Sequence, residues 1–172
     1  MKFRLDDHND FSKQYDGESD RASAILASSF LDNCLENFLK EKLADHKIKD
    51  NLFKGYGPLS SFSARTDIAL LLGLIPEHIY QDLKIIRKIR NEFAHSTEQI
   101  SFSKGKIKDF VSNLQLAKGY PRSDGSLRVI NGARQQFLSA ISWALIHIET
   151  ERDRTVQLKI TKVRFEEAID DS

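Results

Sequence analysis

Between Ser19 and about Leu43, the small and apolar residues Ala24, Ala27, Ser28, Leu31, Cys34, Leu35 and Phe38 recur three and four positions apart, which places them on one stripe of a long helix. Ser19 is the natural N-cap, and Asp20 sits in the first turn, where a carboxylate meets the positive end of the helix dipole. Small residues at the start of the stripe predict close approach of a neighbouring helix. Residues 44–58 form a polar connection that closes in a turn at Gly55, Gly57 and Pro58. Ser60 or Ser61 then caps a helix over Ser63 to Leu72, and Gly73 ends it with a left-handed cap. Pro76 opens a third helix, about 76–95. After the polar loop Ser96 to Gly105, Ile107, Phe110, Val111 and Leu114 predict a shorter one. Lys118 to Gly132 reads as a long loop with a short extended piece over Ser126 to Ile130. A final helix, Ala133 to Glu149, turns Phe137, Leu138, Ile141, Ala144, Leu145 and Ile148 inward. Residues 1–17 lack a period and read as a polar arm. In the charged tail, 151–172, Val156, Leu158 and Ile160 alternate as in a strand, but continuation of the helix through Glu151 to Arg154 is favoured. The expected fold is therefore an all-α, single-domain bundle of about five helices over 18–150, with the first, third and last long helices at its centre.

The third helix contains an anomaly. Advancing about 100° per residue, Ile79, Leu83, Ile86 and Phe93 fall in one narrow stripe, and Arg90 lands in the middle of it. A guanidinium in an apolar stripe requires an anionic or hydrogen-bonding partner, or a cleft, because desolvating its charge is costly. Asp20, Glu92 and Asp82 are candidate partners within the chain. Arg87, Asn91 and His95 form a polar row beside the stripe, and His95 can cap the last carbonyls of its own helix.

Length and composition narrow the choices. The chain has 172 residues, 40% of them hydrophobic and 30% charged, with 3 Pro and 8 Gly, which suits one soluble, largely helical domain. The longest apolar run, Ile68 to Ile75, is too short to span a bilayer, and the acidic start MKFRLDDHND lacks the apolar centre of a secretory signal, so a cytoplasmic location and no membrane partner are expected. A net charge of +1 gives no global reason to bind nucleic acid, although Lys104, Lys106 and Lys108, then Lys118, Arg122, Arg128 and Arg134, leave room for a local basic patch. Cys34, the single cysteine, excludes an internal disulfide and a thiolate zinc site and reads as a small core residue. The five histidines are scattered, GYGPLSS lacks the lysine and spacing of a P-loop, and Glu166 and Glu167 read as solvated surface. No cofactor or metal is expected.

An arginine followed by a polar residue, then a histidine four to six positions on near a helix end, resembles the hallmark of the HEPN superfamily of small helical domains; Arg90, Asn91 and His95 match that form. A longer likeness lies in ESDRASAILASSFLD (Glu18 to Asp32), GYGPLSSFSARTDIALLLGLI (Gly55 to Ile75) and DLKIIRKIRNEFAHS (Asp82 to Ser96), which together resemble the mannitol operon repressor family over about 18–115. That resemblance implies an all-helical transcriptional regulator with no standard DNA-binding motif. Several HEPN proteins are instead metal-independent endoribonucleases, often dimers whose two motif copies face one cleft.

Two functions follow. The first is a regulatory binding module, expected as a homodimer, acting through a protein partner or through DNA or RNA, with Asp20, Arg87, Lys104 and Lys106 as candidate binding residues. Direct DNA reading has one candidate element, Ser63 to Leu72, the turn at Gly73 and then PEHIYQDL, but that would-be recognition end carries Glu77 and Asp82 and no basic residue. A protein partner is the more economical reading. The second function is a ribonuclease in which His95 moves protons at the ribose 2′-hydroxyl or the leaving oxygen, Arg90 holds the scissile phosphate, Asn91 orients either group, and Asp20 orients Arg90. The regulator is the preferred reading.

Overall fold

The structure, a computed structural model, describes residues 11–118, 120–121 and 127–160. In it α1 spans Asp20–Lys42, α2 Lys49–Phe53, α3 Phe62–Leu71, α4 Glu77–His95, α5 Gly105–Ser112 and α6 Ala133–Arg154. A 3₁₀ turn at Leu116–Lys118 and a two-residue antiparallel pair, Tyr120–Pro121 with Leu127–Arg128, lie between α5 and α6. α1 packs along both α6 and α4, which also touch each other; α3 rests on α4 and α1, and α5 on α4 and α6. The expected centre of first, third and last long helices is thus present.

Local signals set most of these boundaries. The Ser19 hydroxyl accepts from the Ala22 N–H at 3.1 Å and caps α1; Ser61 does the same for α3 through Ala64 N–H at 3.2 Å. Gly73, at φ 67°, ends α3 as expected, with its own N–H donating to Leu70 C=O and the Leu74 N–H to Ala69 C=O, the paired bonds of a Schellman cap. Gly57 has a different role: a Cβ there would come within 2.3 Å of the Asn51 carbonyl oxygen, so the turn after α2 closes only on glycine.

Distant side chains finish the remaining ends. Lys42, 6% exposed, donates Nζ to the Arg152 and Thr155 carbonyls at 2.6 and 2.7 Å, closing the C-terminus of α6. Asp82, fully buried on α4, accepts from the Gln115 and Leu116 N–H groups at 2.9 and 2.8 Å and so fixes the 3₁₀ turn. Phe102 stacks between Phe93 of α4 and Phe137 of α6, with centroids 4.8 and 5.0 Å away.

Three expectations need correction. Arg90 is exposed, and the buried side of α4 runs instead through Ile79, Asp82, Leu83, Ile86, Ile89 and Phe93. The arm is not loose where it is described, since Phe11 and Tyr15 are buried and the Tyr15 carbonyl accepts from Arg134. The connection after α1 contains the short α2, anchored by Phe53. The last helix does continue through Arg154, the favoured reading, after which 155–160 is non-helical and the Leu158 N–H donates to the Lys42 carbonyl. The readings made for residues 1–10, Arg122 and 161–172, Glu166 and Glu167 included, lie outside the described residues.

His147 on α6 supplies a test of this packing. Burial holds its imidazole below the ordinary histidine pKa, against the opposing pull of the Leu74 carbonyl, 3.3 Å from Nε2, and of Glu151. Between that lowered value and about 6.5 the unfolded chain binds more protons than the folded one. The stability linked to neutral His147 is therefore present above about pH 6.5 and lost as pH falls through the window. Urea midpoints should drop on acidification below about pH 6.5 in the native protein and drop less in His147→Gln; identical pH dependence in the two would refute the assignment.

Candidate functional site

One face of each of three helices meets at a polar cavity of about 330 Å³. α1 contributes Ser28, Ser29 and Asp32, the first turn of α3 and the residues before it contribute Ser60, Ser61, Phe62, Ser63 and Arg65, and α4 contributes Arg87, Arg90 and Asn91. Spacings of three and four residues on α1 and α4 put each set on a single helical face.

Arg65 organises the wall between α1 and α3. Its side chain is 6% exposed; Nε and Nη2 donate to Asp32 Oδ1 at 2.9 and 2.6 Å, and Nη1 donates to the Leu59 carbonyl at 2.9 Å and lies 3.1 Å from Glu36 Oε2. Asp32 and Glu36, one turn apart, grip the guanidinium from one face of α1. Burial pushes the Asp32 carboxyl pKa up; the Arg65 hydrogen bonds and charge pull it down, Glu36 raises it again and Arg90 lowers it. Arg90 thus acts electrostatically on the cavity's one acid. Arg90 Nη1 donates to Asn91 Oδ1 at 3.0 Å. Arg87 is half-buried, and its Nε has no hydrogen-bond partner among the described residues.

The residues singled out by sequence separate into two places. Arg87, Arg90 and Asn91 line this cavity. Asp20, Lys104 and Lys106 line a second cleft, beside α5 and the loop after α4, whose charges balance: Lys106 Nζ lies 2.6 Å from Glu92, and Arg21 donates to the Ser96 and Glu98 carbonyls. His95 is exposed and lines neither. On an unbroken helix, residues five apart point about 140° away from each other, so Arg90 and His95 diverge within one chain. Asp20 does not orient Arg90 either; it accepts from the Phe102 N–H at 3.0 Å and lies 3.6 Å from Arg134 Nη1. Glu92 and Asp82, the other partners considered for Arg90, are engaged by Lys106 and by backbone N–H groups.

Sequence reasoning missed Arg65, which it placed in an apolar helix, and Ser28, which it read as core filler. Asp32 and Glu36 at i and i+4 on the first helix were the available hint of a buried cation. Cys34 is half-buried with its thiol pushed up to about 11, chiefly by burial and then by Glu149, which removes the thiolate needed for nucleophilic chemistry at neutral pH. Among the described residues no cluster of three or more His, Cys, Asp and Glu side chains could hold a metal, and no helix is long and apolar enough to cross a membrane.

Compared with known proteins, residues 21–157 match the family described as mannitol repressor. The chain belongs to the mannitol repressor family. A solved structure, the X-ray structure of the MtlR–HPr complex from Escherichia coli, contains a chain that shares this fold with a TM-score of 0.54 and 18% identity, over 84% of the present chain and 97% of that one. No curated protein gives a significant sequence match. The match to this family runs from Arg21 to Gln157, so it takes in α2 to α6, all of α1 but its first residue, and every residue of the cavity.

Removing Arg65 should expose how much the mannitol-repressor core depends on this ion pair. Arg65→Ala leaves Asp32 and Glu36 facing each other, and their 27% and 25% exposure softens the loss toward the low end for a buried pair, about 3 kcal/mol. Arg90→Ala, at an exposed position, should change stability by less than about 0.5 kcal/mol. Urea unfolding of both variants reads the difference, and equal losses would contradict the division of roles.

Proposed function

We propose that the chain is a mannitol-repressor-type transcriptional regulator that works as a helical binding module through a protein partner. The observation that carries this reading is the family match over 21–157, together with the shared fold of a chain solved in complex with HPr. Chemistry at the alternative DNA reader supports it. On α4, Asp82 is buried on backbone donors, the Tyr80 hydroxyl donates to Asp67 at 3.0 Å, exposed Glu77 would face phosphate and the Lys84 ammonium lies over the Tyr80 ring, so residues 77–83 offer no lysine or arginine to a major groove. Nothing in the arrangement of Arg90 and His95 favours the ribonuclease.

The partner class follows from the solved relative: HPr of the same organism as this chain. Titration of the full chain with that HPr should give a saturable complex in the micromolar range or tighter, with sedimentation reporting whether the chain enters it as one copy or as the expected dimer. Absence of a complex at about 100 µM of each protein, combined with RNA cleavage in EDTA that is lost in His95→Ala, would overturn the regulator reading in favour of the nuclease.

A further inference from the structure

The cavity between α1, α3 and α4 carries more donor capacity than the fold uses. Three guanidiniums face one carboxylate there, and Arg65 already engages that carboxylate, Asp32. Arg87 and Arg90 remain in surplus. The Arg87 Nε is buried without a partner among the described residues, and Arg90 donates to Asn91, its neighbour in sequence. Ser28 is 4% exposed and lines the cavity, yet its hydroxyl has no hydrogen-bond partner among the described residues. A serine inside a helix ordinarily returns its proton to the carbonyl one turn back, as Thr66 does to Phe62 at 2.8 Å. A buried donor left without an acceptor loses its hydration and gains nothing in return. Two such donors at one polar cavity mark a place built for an acceptor-rich guest.

The remaining walls favour the same guest. The first turn of α3, a ten-residue helix, borders the cavity with Ser61 and Ser63, so the positive end of its dipole adds to the arginines. Donors come from three helices rather than from one guanidinium fork. A planar carboxylate is satisfied by a single bidentate arginine, whereas a tetrahedral phosphate presents oxygens on several sides at once. The volume, about 330 Å³, falls at the lower end of the roughly 300–1,000 Å³ of small-molecule sites and exceeds what a bare phosphate fills; Phe62 offers an apolar wall for the rest. We propose that this cavity binds a small phosphate monoester, with the Arg87 and Arg90 guanidiniums and the Ser28 hydroxyl as donors to its phosphate group. The site goes beyond the partner-binding reading and stands independently of it.

Calorimetric titration of the full chain tests the assignment, with glycerol 3-phosphate and inorganic phosphate as probes at one ionic strength set by chloride. Both should bind saturably, the ester more tightly, with Kd at or below the millimolar range. Arg87→Ala and Arg90→Ala should each weaken the ester by about 10-fold or more, the loss of one charge-assisted bond. Ser28→Ala, which removes a hydroxyl the fold does not use, should weaken it by about 5-fold without lowering thermal stability, so this variant keeps the test decisive if Arg87→Ala unfolds. Lys108→Ala, exposed and remote from the cavity lining, should leave binding unchanged. Failure of both probes to saturate, binding that ignores Ser28→Ala and Arg90→Ala, or binding of an RNA oligonucleotide with neither small probe would overturn the proposal.

Discussion

The buried Arg65 guanidinium is the interaction on which the cavity depends. A charge in the interior is tolerable only when its donors are used, and here four contacts reach Asp32, Glu36 and the Leu59 carbonyl. Those contacts fix the first turn of α3 against α1. Because Asp32 is committed to Arg65, it cannot also neutralise Arg87 and Arg90, and the cavity keeps a surplus of positive charge. One ion pair therefore sets both the geometry of the site and its sign. The chain's overall charge of +1 does not reveal this local surplus.

A comparable economy governs the helix ends. Lys42 closes α6, Asp82 closes the 3₁₀ turn, Arg21 takes the carbonyls after α4, and Asp20 takes the Phe102 N–H. Each is a charged group bonded to backbone more than 30 positions away in sequence, and hydrogen bonds to charged groups are the stronger class. Such bonds offset much of the desolvation cost of the charged residues that the chain buries, Lys42 and Asp82 among them.

This also determines what the sequence could show. Caps at Ser19, Ser61 and Gly73 are local signals, and the apolar stripes of α1, α4 and α6 suffice to place the central bundle, although that of α4 is much the clearest. Arg90 failed as a core position for a definite reason. Its stripe was drawn through Ile79, Leu83 and Ile86, and residue 90 does share their side of the helix, but at its level, near the end of α4, that side borders the cavity instead of the core. A polar residue such as Asp82 is discounted by any hydrophobic pattern, although backbone donors 33 and 34 positions on make it the better buried group. Phe53, with partly buried Leu52 beside it, anchors α2, too little apolar surface to register as a period. Pairings such as Arg65 with Asp32 depend on which helices become neighbours, which no window along the chain contains.

The family match and the geometry of α4 bear on function in different ways. The likeness at 18% identity fixes a fold, and a fold accommodates many activities. The helix adds a constraint of its own. Because α4 is unbroken through His95, Arg90 and His95 leave it in directions about 140° apart, and a single chain cannot bring both to one phosphate without unwinding the last turn. Arg87, Arg90 and Asn91, at i, i+3 and i+4, do converge, and they converge on α1 and α3. A motif read as arginine followed by histidine thus resolves into an arginine pair that lines the cavity and a histidine on another side of the helix. Once the neighbouring face of α4 is occupied by the core, that division is the one the helical repeat requires.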